Sequence, residues 1–256
     1  MSASETSAIH RVNHEIKHRR LDVLRVTDLT PRMRRITLGG PQLQGFTSIG
    51  SDDHVKLMFA CSAEEQAALD NLDFSRDGPR PTLREYTPRR IDLVAGELDI
   101  DFVLHGDGPA STWAAQAQVG QVLNIAGPRS SMVVPDSFDS YLLVGDETAI
   151  PAIARRLEEL PATRKVVAVI EVEDAQEQQQ LQTLAQLEVI WVQRHRQDLL
   201  EVLKALPLPA GRLYTWVALE KALTRKAKRL LIEEKGVPED LIKAAAYWRL
   251  DPNDDA

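Results

Sequence analysis

A change of rhythm near residue 130 constrains this chain more than any other feature. Ten of its thirteen glycines fall before that point and only three after it. On the glycine-rich side, short apolar segments separated by turn residues read as strands. They are Leu21–Thr27, Met33–Leu38, Asp53–Phe59, Arg84–Arg90, Glu97–His105 and Gln121–Ala126. In ELDIDFVLH, Leu98, Ile100, Phe102 and Leu104 alternate with Asp99, Asp101 and Val103, the period of a strand with one buried face. Six such strands predict an antiparallel β-barrel, because closure removes most exposed edges. Ala63–Pro81 is polar, contains the helical AEEQAALDNL and reads as an excursion from the barrel.

Beyond Gly127-Pro128, apolar runs alternate with helical stretches. Tyr141–Val144, Val166–Val172, Val189–Val192 and Tyr214–Val217 read as strands. Thr148–Leu160, Glu177–Leu184, Leu199–Leu206 and Lys221–Lys235 read as helices, the last stopped by Gly236 with Pro238 beyond it. That alternation predicts a parallel sheet with helices on both faces. The expected fold class is therefore a six-stranded antiparallel β-barrel followed by a parallel-sheet α/β domain. The expected division is a flexible arm over 1–18, the barrel over 19–135 and the α/β domain over 136–256.

Composition narrows the chemistry. The 256 residues carry 31 Lys plus Arg against 38 Asp plus Glu, a net charge of −7, which argues against nucleic acid as the main partner. A single cysteine, Cys61, excludes an intrachain disulfide, a four-thiolate iron–sulfur cluster and a dithiol couple. Redox chemistry here must borrow a cofactor. The first twenty residues lack a signal-peptide apolar run, and no stretch reaches the ~20 apolar residues of a membrane span, so a cytoplasmic protein is expected. His10, His14 and His18 would share one helix face, but no further ligands accompany them and a polar arm is expected instead.

Two segments carry chemistry. In LREYTPR, strand alternation points Arg84, Tyr86 and Pro88 one way and Glu85 and Thr87 the other. Arg84 can neutralise a phosphate, Tyr86 offers a face for an extended ring, and Thr87 offers a hydroxyl to a ring nitrogen. An ordinary strand with a salt-bridged arginine is the competing reading. Then GDGPASTWA places Gly108 and Pro109 at a tight turn, with Pro109 suited to a first helical position. Ala110, Ser111 and Thr112 would present N–H groups at a helix start, where the macrodipole favours an anion.

R-x-Y-T-x-R followed by GPASTWA resembles the flavin domain of siderophore-interacting proteins, the ferric-siderophore reductases of the ferredoxin–NADP reductase superfamily. DDHVKLMF, IAGPRSSMVVP, YLLVGDETAIPAIARRLEEL and AAAYWR extend the resemblance from about Leu21 to Arg249. It implies an FAD-binding barrel and a nicotinamide-nucleotide domain. Arg84 would meet the flavin phosphates, with Glu85 beside it, Tyr86 against the isoalloxazine and Thr87 near its reactive nitrogen. Gly108, Pro109, Ala110, Ser111, Thr112 and Trp113 would cradle the pyrophosphate, with Asp101 and His105 close by. His105 also reads as a satisfied strand-end histidine, and Trp113 as helix–barrel core.

The second domain carries no G-x-G-x-x-G, and its first strand runs into Asp146 and Glu147, which would repel a phosphate. The resemblance implies nucleotide contacts at Thr148 and Ala149. Arg194 and Arg196 either meet a 2′-phosphate, favouring NADPH over NADH, or form a solvated basic turn. Where the family has W-x-A-G-E, this chain has Trp216-Val217-Ala218-Leu219-Glu220, and Leu219 is expected to crowd a close cofactor approach. The implied substrate is an anionic ferric siderophore, of catecholate type, facing Lys56, Arg129 and Arg249, in a monomer. A general NAD(P)H:flavin or ferric-chelate reductase, and a non-enzymatic siderophore or flavin carrier, remain open as alternatives.

Overall fold

The computed structural model describes residues 9–71 and 78–250, so part of the excursion after Asn71 lies outside the described residues. The chain divides into two compact units, Ile9–Val134 and one that begins at Pro135.

The first unit contains β1 (His10–Asn13), β2 (His18–Thr30), β3 (Met33–Gly39), β4 (Val55–Phe59) and helix α1 (Ala63–Asp70). There follow β5 (Thr82–Tyr86), β6 (Pro88–Asp92), β7 (Glu97–Val103), helix α2 (Pro109–Gln116), β8 (Val122–Ala126) and β9 (Ser130–Val133). Seven strands form one antiparallel sheet in the order β5-β4-β8-β2-β3-β7-β6. Laid flat, its edges would stand about 29 Å apart. Yet edge strands β5 and β6 are separated in sequence by Thr87 alone, which allows about 7 Å. The sheet must therefore curl until its edges meet, closed there by the chain itself.

This corrects the strand count. Arg84–Arg90 is not one strand: Tyr86 pairs with Val55 on β4, whereas Pro88 pairs with Ile100 on β7. Splitting that segment turns six strands into seven. Inside the curl, Leu21, Ile36, Leu57, Leu98, Ile100, Phe102 and Ile125 form the core. Helix α2 packs against β3, β4 and β7.

The expected flexible arm over 1–18 is corrected in its described part, because β1 pairs antiparallel with β9. His14 donates its backbone N–H to the Arg129 carbonyl at 2.9 Å. Its imidazole Nε2 lies 2.7 Å from Ser131 Oγ, and Ser131 donates to Asp53 Oδ2 at 2.5 Å. The Ser131 proton goes to the carboxylate, so Nε2 of His14 is the donor of their bond. The same buried Asp53 oxygen accepts from Ser48 Oγ and Gly50 N.

The second unit is built of β10 (Ser140–Gly145), α3 (Ile150–Glu159), β11 (Lys165–Val172), β12 (Gln186–Gln193), α4 (Leu199–Ala205), β13 (Leu213–Glu220), α5 (Lys221–Glu233) and β14 (Ile242–Trp248). All neighbours are parallel, in the order β12-β11-β10-β13-β14. The order reverses between β10 and β13, and the crevice beyond their carboxyl ends is where open α/β sheets hold ligands. Two expectations fail here. Glu177–Leu184 forms no α-helix, only a 3₁₀ turn at Ala175–Glu177, because its glutamine-rich run has no apolar face to bury. The fifth strand, β14, is alanine-rich and carries no β-branched run to announce it.

The Asp53 cluster leaves no room beside Gly50: a Cβ there would lie 2.6 Å from Asp53 Oδ1 and 2.9 Å from the Met132 carbonyl oxygen. Gly50→Ala is expected to lower unfolding free energy by about 2 kcal/mol, read from urea denaturation.

Candidate functional site

Directly opposed residues of an antiparallel pair share a face, and this sorts the side chains of β4 and β5. Arg84 lies opposite the fully buried Leu57 and Tyr86 opposite Val55, so both belong to the inner face. Glu85 lies opposite Lys56 on the outer face, where both are exposed. Arg84 is exposed and donates to the neighbouring Leu83 carbonyl at 2.9 Å. Tyr86 packs against Phe102 with ring centroids 4.6 Å apart. Trp113, from α2, stands 5.8 Å from both Phe102 and Phe59. An aromatic chain thus joins β5, β7, α2 and β4, and Trp113 is core packing. Thr87 is buried at the bend between β5 and β6.

The two ends of α2 are treated differently. At its C-terminus, Arg34 Nη1 donates to the carbonyls of Ala114 and Ala115, at 3.1 and 2.9 Å, where the helix dipole favours a cation. Its N-cap is Gly108, with Pro109 next and no side-chain cap. Thr112 N–H already donates to the Gly108 carbonyl, so the donors left outside the helical ladder are those of Gly108, Ala110 and Ser111. Ser111 is buried and its Oγ accepts the His105 N–H at 2.8 Å, which fixes the turn leading into the helix. His105 is exposed.

Asp101 does not join this group. It points away from the Phe102 side of β7, and both its oxygens are held by Arg35, at 2.6 and 2.8 Å. Its buried neighbour Asp99 is held likewise, by Thr37 and Arg90. On the outer face, one Glu85 oxygen lies 3.9 Å from Lys56 Nζ and 3.8 Å from His54 Nε2. Arg129, exposed, follows the cis Gly127-Pro128 bond.

At the crevice of the second unit the chain supplies its own anions. Asp146 Oδ1 accepts from Thr148 N at 2.9 Å and Thr148 Oγ1 at 2.5 Å, and Asp146 O accepts from Ala149 N at 2.9 Å. The N–H groups of Thr148 and Ala149, two residues expected to contact a nucleotide, are thereby engaged within the turn. Trp248 Nε1 donates to Asp146 Oδ2 at 2.7 Å, tying the end of β14 to it. Glu220 caps α5 in the same way, accepting from Ala222 N and Leu223 N at 2.7 and 3.0 Å. Arg194 is ion-paired rather than part of a solvated basic turn. Its three guanidinium nitrogens meet Glu171, Glu173 and Glu147, at 3.1, 2.9 and 2.6 Å. Arg196 is exposed. Leu219 does not project into an approach path; it is fully buried in the apolar core with Val217, Ala227 and Leu231. Arg249 is exposed just beyond β14.

Residues 22–132 match the siderophore-interacting FAD-binding domain, and residues 138–251 match the siderophore-interacting protein domain. The NADPH-dependent ferric-chelate reductase of Escherichia coli is 38% identical, over 93% of this chain and 95% of its own. The chain belongs to the siderophore-interacting protein family. A siderophore utilization protein from T. fusca superposes with a TM-score of 0.84 at 36% identity, covering 95% of this chain and 97% of the other. A ferredoxin NADP+ reductase from Neisseria gonorrhoeae, solved with bound FAD and NADP, shares the fold alone, with a TM-score of 0.65 at 14% identity over 91% of this chain and 99% of its own. The architecture of this family member is thus ferredoxin-reductase-like, with a curled seven-stranded sheet in place of six strands. Among the described residues, no helix is long and apolar enough to cross a membrane.

Three residues that the sequence does not single out hold these segments in place: Arg34 at the end of α2, Arg35 on Asp101, and Trp248 on Asp146. Each acts across more than sixty residues of chain, and none announces its partner. Complete burial pushes the Asp146 carboxyl up to about 6, Glu147 adds to the shift, and the Thr148 and Trp248 hydrogen bonds oppose it. A carboxyl raised above its unfolded value of 3.8 binds protons more tightly in the folded state, so its contribution to stability falls as pH rises from there to about 6. The stability difference between wild type and Asp146→Asn should therefore shrink across that window, by on the order of 3 kcal/mol. Urea melts at stepped pH would show a flat difference if Asp146 titrates normally.

Proposed function

We propose that this chain is a flavin-dependent ferric-siderophore reductase, taking electrons from NAD(P)H through FAD to an Fe(III) siderophore and releasing Fe(II). The observation that carries it is the asymmetry of α2: a helix start without a side-chain cap, made of small residues, in the same unit as an exposed Arg84 on the inner face of β5. These residues fit a dinucleotide flavin. The N–H groups of Gly108, Ala110 and Ser111, with Thr112, would hold its pyrophosphate, and Arg84 would offset the charge. Tyr86 supplies a ring face and Thr87 a hydroxyl.

Bound FAD supplies the conversion between a two-electron donor and one-electron acceptors. One hydride carries two electrons and each Fe(III) takes one, so each nicotinamide serves two chelates. Hard oxygen ligands hold Fe(III) more firmly than Fe(II), so reduction loosens the metal. The name of the Escherichia coli relative supports a nicotinamide donor. Thr148 and Ala149 give their N–H groups to Asp146, and Arg194 pairs with three glutamates, so the nucleotide draws its main anion contacts from other donors. Lys56 and Arg129, both exposed in the first unit, face an anionic chelate of catecholate type. A monomer in the cytoplasm, where reduced nicotinamide is regenerated, is part of the same reading.

Purified protein should be yellow, and anaerobic NADPH should bleach it within seconds in a stopped-flow experiment. A colourless protein that takes up no added FAD overturns the reading, and a yellow one bleached only by dithionite overturns the nicotinamide donor. Arg84→Ala is expected to weaken FAD binding about tenfold to a hundredfold, measured by quenching of flavin fluorescence. Lys56→Ala should slow reduction of an anionic ferric catecholate at fixed flavin content, several-fold at low ionic strength.

A further inference from the structure

We infer that Glu85 is a specificity-determining residue: it holds down the charge of Lys56 and thereby sets how strongly this chain favours anionic over neutral ferric chelates. The inference rests on the reading of Lys56 as a substrate-facing cation. The sequence motif groups Glu85 with the flavin residues, but the register of β4 and β5 places it on the other face, directly opposite Lys56. A single carboxylate oxygen stands 3.9 Å from Lys56 Nζ and 3.8 Å from His54 Nε2, and the side chains of all three remain half or more exposed. Opposed residues on one face of an antiparallel pair are the closest cross-strand neighbours, so the ladder keeps the stems of Lys56 and Glu85 within reach of each other.

An anionic chelate arriving at Lys56 must compete with that carboxylate. Repulsion by Glu85 and its hold on the ammonium act in the same direction, weakening a trianion and leaving a neutral chelate almost untouched. The effect is local, because charges further apart than about 8 Å are screened at physiological salt. In a chain of net charge −7, Lys56 cannot count on long-range attraction, so one neighbouring carboxylate has leverage over the outcome.

The test uses FAD-loaded protein and redox-inert gallium(III) chelates, so that binding is read without electron transfer. Quenching of tryptophan fluorescence reports the Kd of a trianionic tris-catecholate and of a neutral tris-hydroxamate for wild type, Glu85→Gln, Glu85→Asp, Lys56→Ala and the Lys56→Ala/Glu85→Gln double variant. Glu85→Gln is expected to tighten the trianion about threefold to fivefold at low salt and leave the neutral chelate unchanged. Glu85→Asp should bind as wild type does, and the gain should shrink at high salt and be much reduced in the Lys56→Ala background. Equal changes for both chelates, a full gain without Lys56, or loss of FAD from Glu85→Gln would each overturn the assignment. Parallel steady-state assays with the ferric forms separate the two claims: charge-selective binding without reduction upholds Glu85 and removes the reductase reading. Indifference of the trianion to Lys56→Ala removes the role of Glu85 with that of Lys56.

Discussion

The single residue between β5 and β6 is the constraint on which the first unit depends. Because Tyr86 and Pro88 belong to opposite edges of a seven-stranded sheet, the sheet has no flat alternative. No ladder of hydrogen bonds joins these two edges, and each is held to the sheet from its own side. On the β6 side, Arg90 donates to Asp99 at 2.7 Å and Asp92 at 3.3 Å and pairs with Glu97. Arg35 and Thr37 from β3 meet the same row of β7 acids. On the inside, Tyr86 rests on Phe102. The bend thereby decides which side chains of one short motif face the core and which face solvent.

Charge is distributed to match. In the second unit, the turn after β10 and the start of α5 are capped by Asp146 and Glu220, carboxylates of the chain itself. In the first unit, α2 begins without a side-chain cap. A helix start filled by its own carboxylate repels a phosphate, whereas an uncapped one accepts it. The negative total therefore conceals an uneven arrangement: α2 begins without a carboxylate cap, while acids of the second unit organise their own loops. Arg194 illustrates this, since three glutamates offset its charge.

Much of this was legible from residues alone. The positions of β2, β3, β4, β7 and β8 follow from alternation and glycine punctuation, and those of α3, α4 and α5 from helical periodicity and stop residues. GDGPASTWA announces a helix start of small residues because proline and glycine have positional meaning there. What failed had a common cause. LREYTPR looks continuous, and only the pairing partners of Tyr86 and Pro88 reveal a bend at Thr87. His14 looked like part of a loose polar arm until Ser131 and Asp53 gathered around it.

By itself, then, the sequence determined the division into a strand-rich half and an alternating half, the need for a borrowed redox group, and the residue types able to hold one. Those properties are local: periodicity, turn chemistry and composition act within a few residues. Only the tertiary structure decided which charges remain available. Asp101 and Arg194 both had the right chemistry for a ligand, and each is engaged by distant groups of the chain. Glu85, placed by its motif beside the flavin residues, faces Lys56 instead. A side chain's capacity to bind depends on what the fold has already bound to it, and register and long-range pairing are properties that no short window of sequence contains.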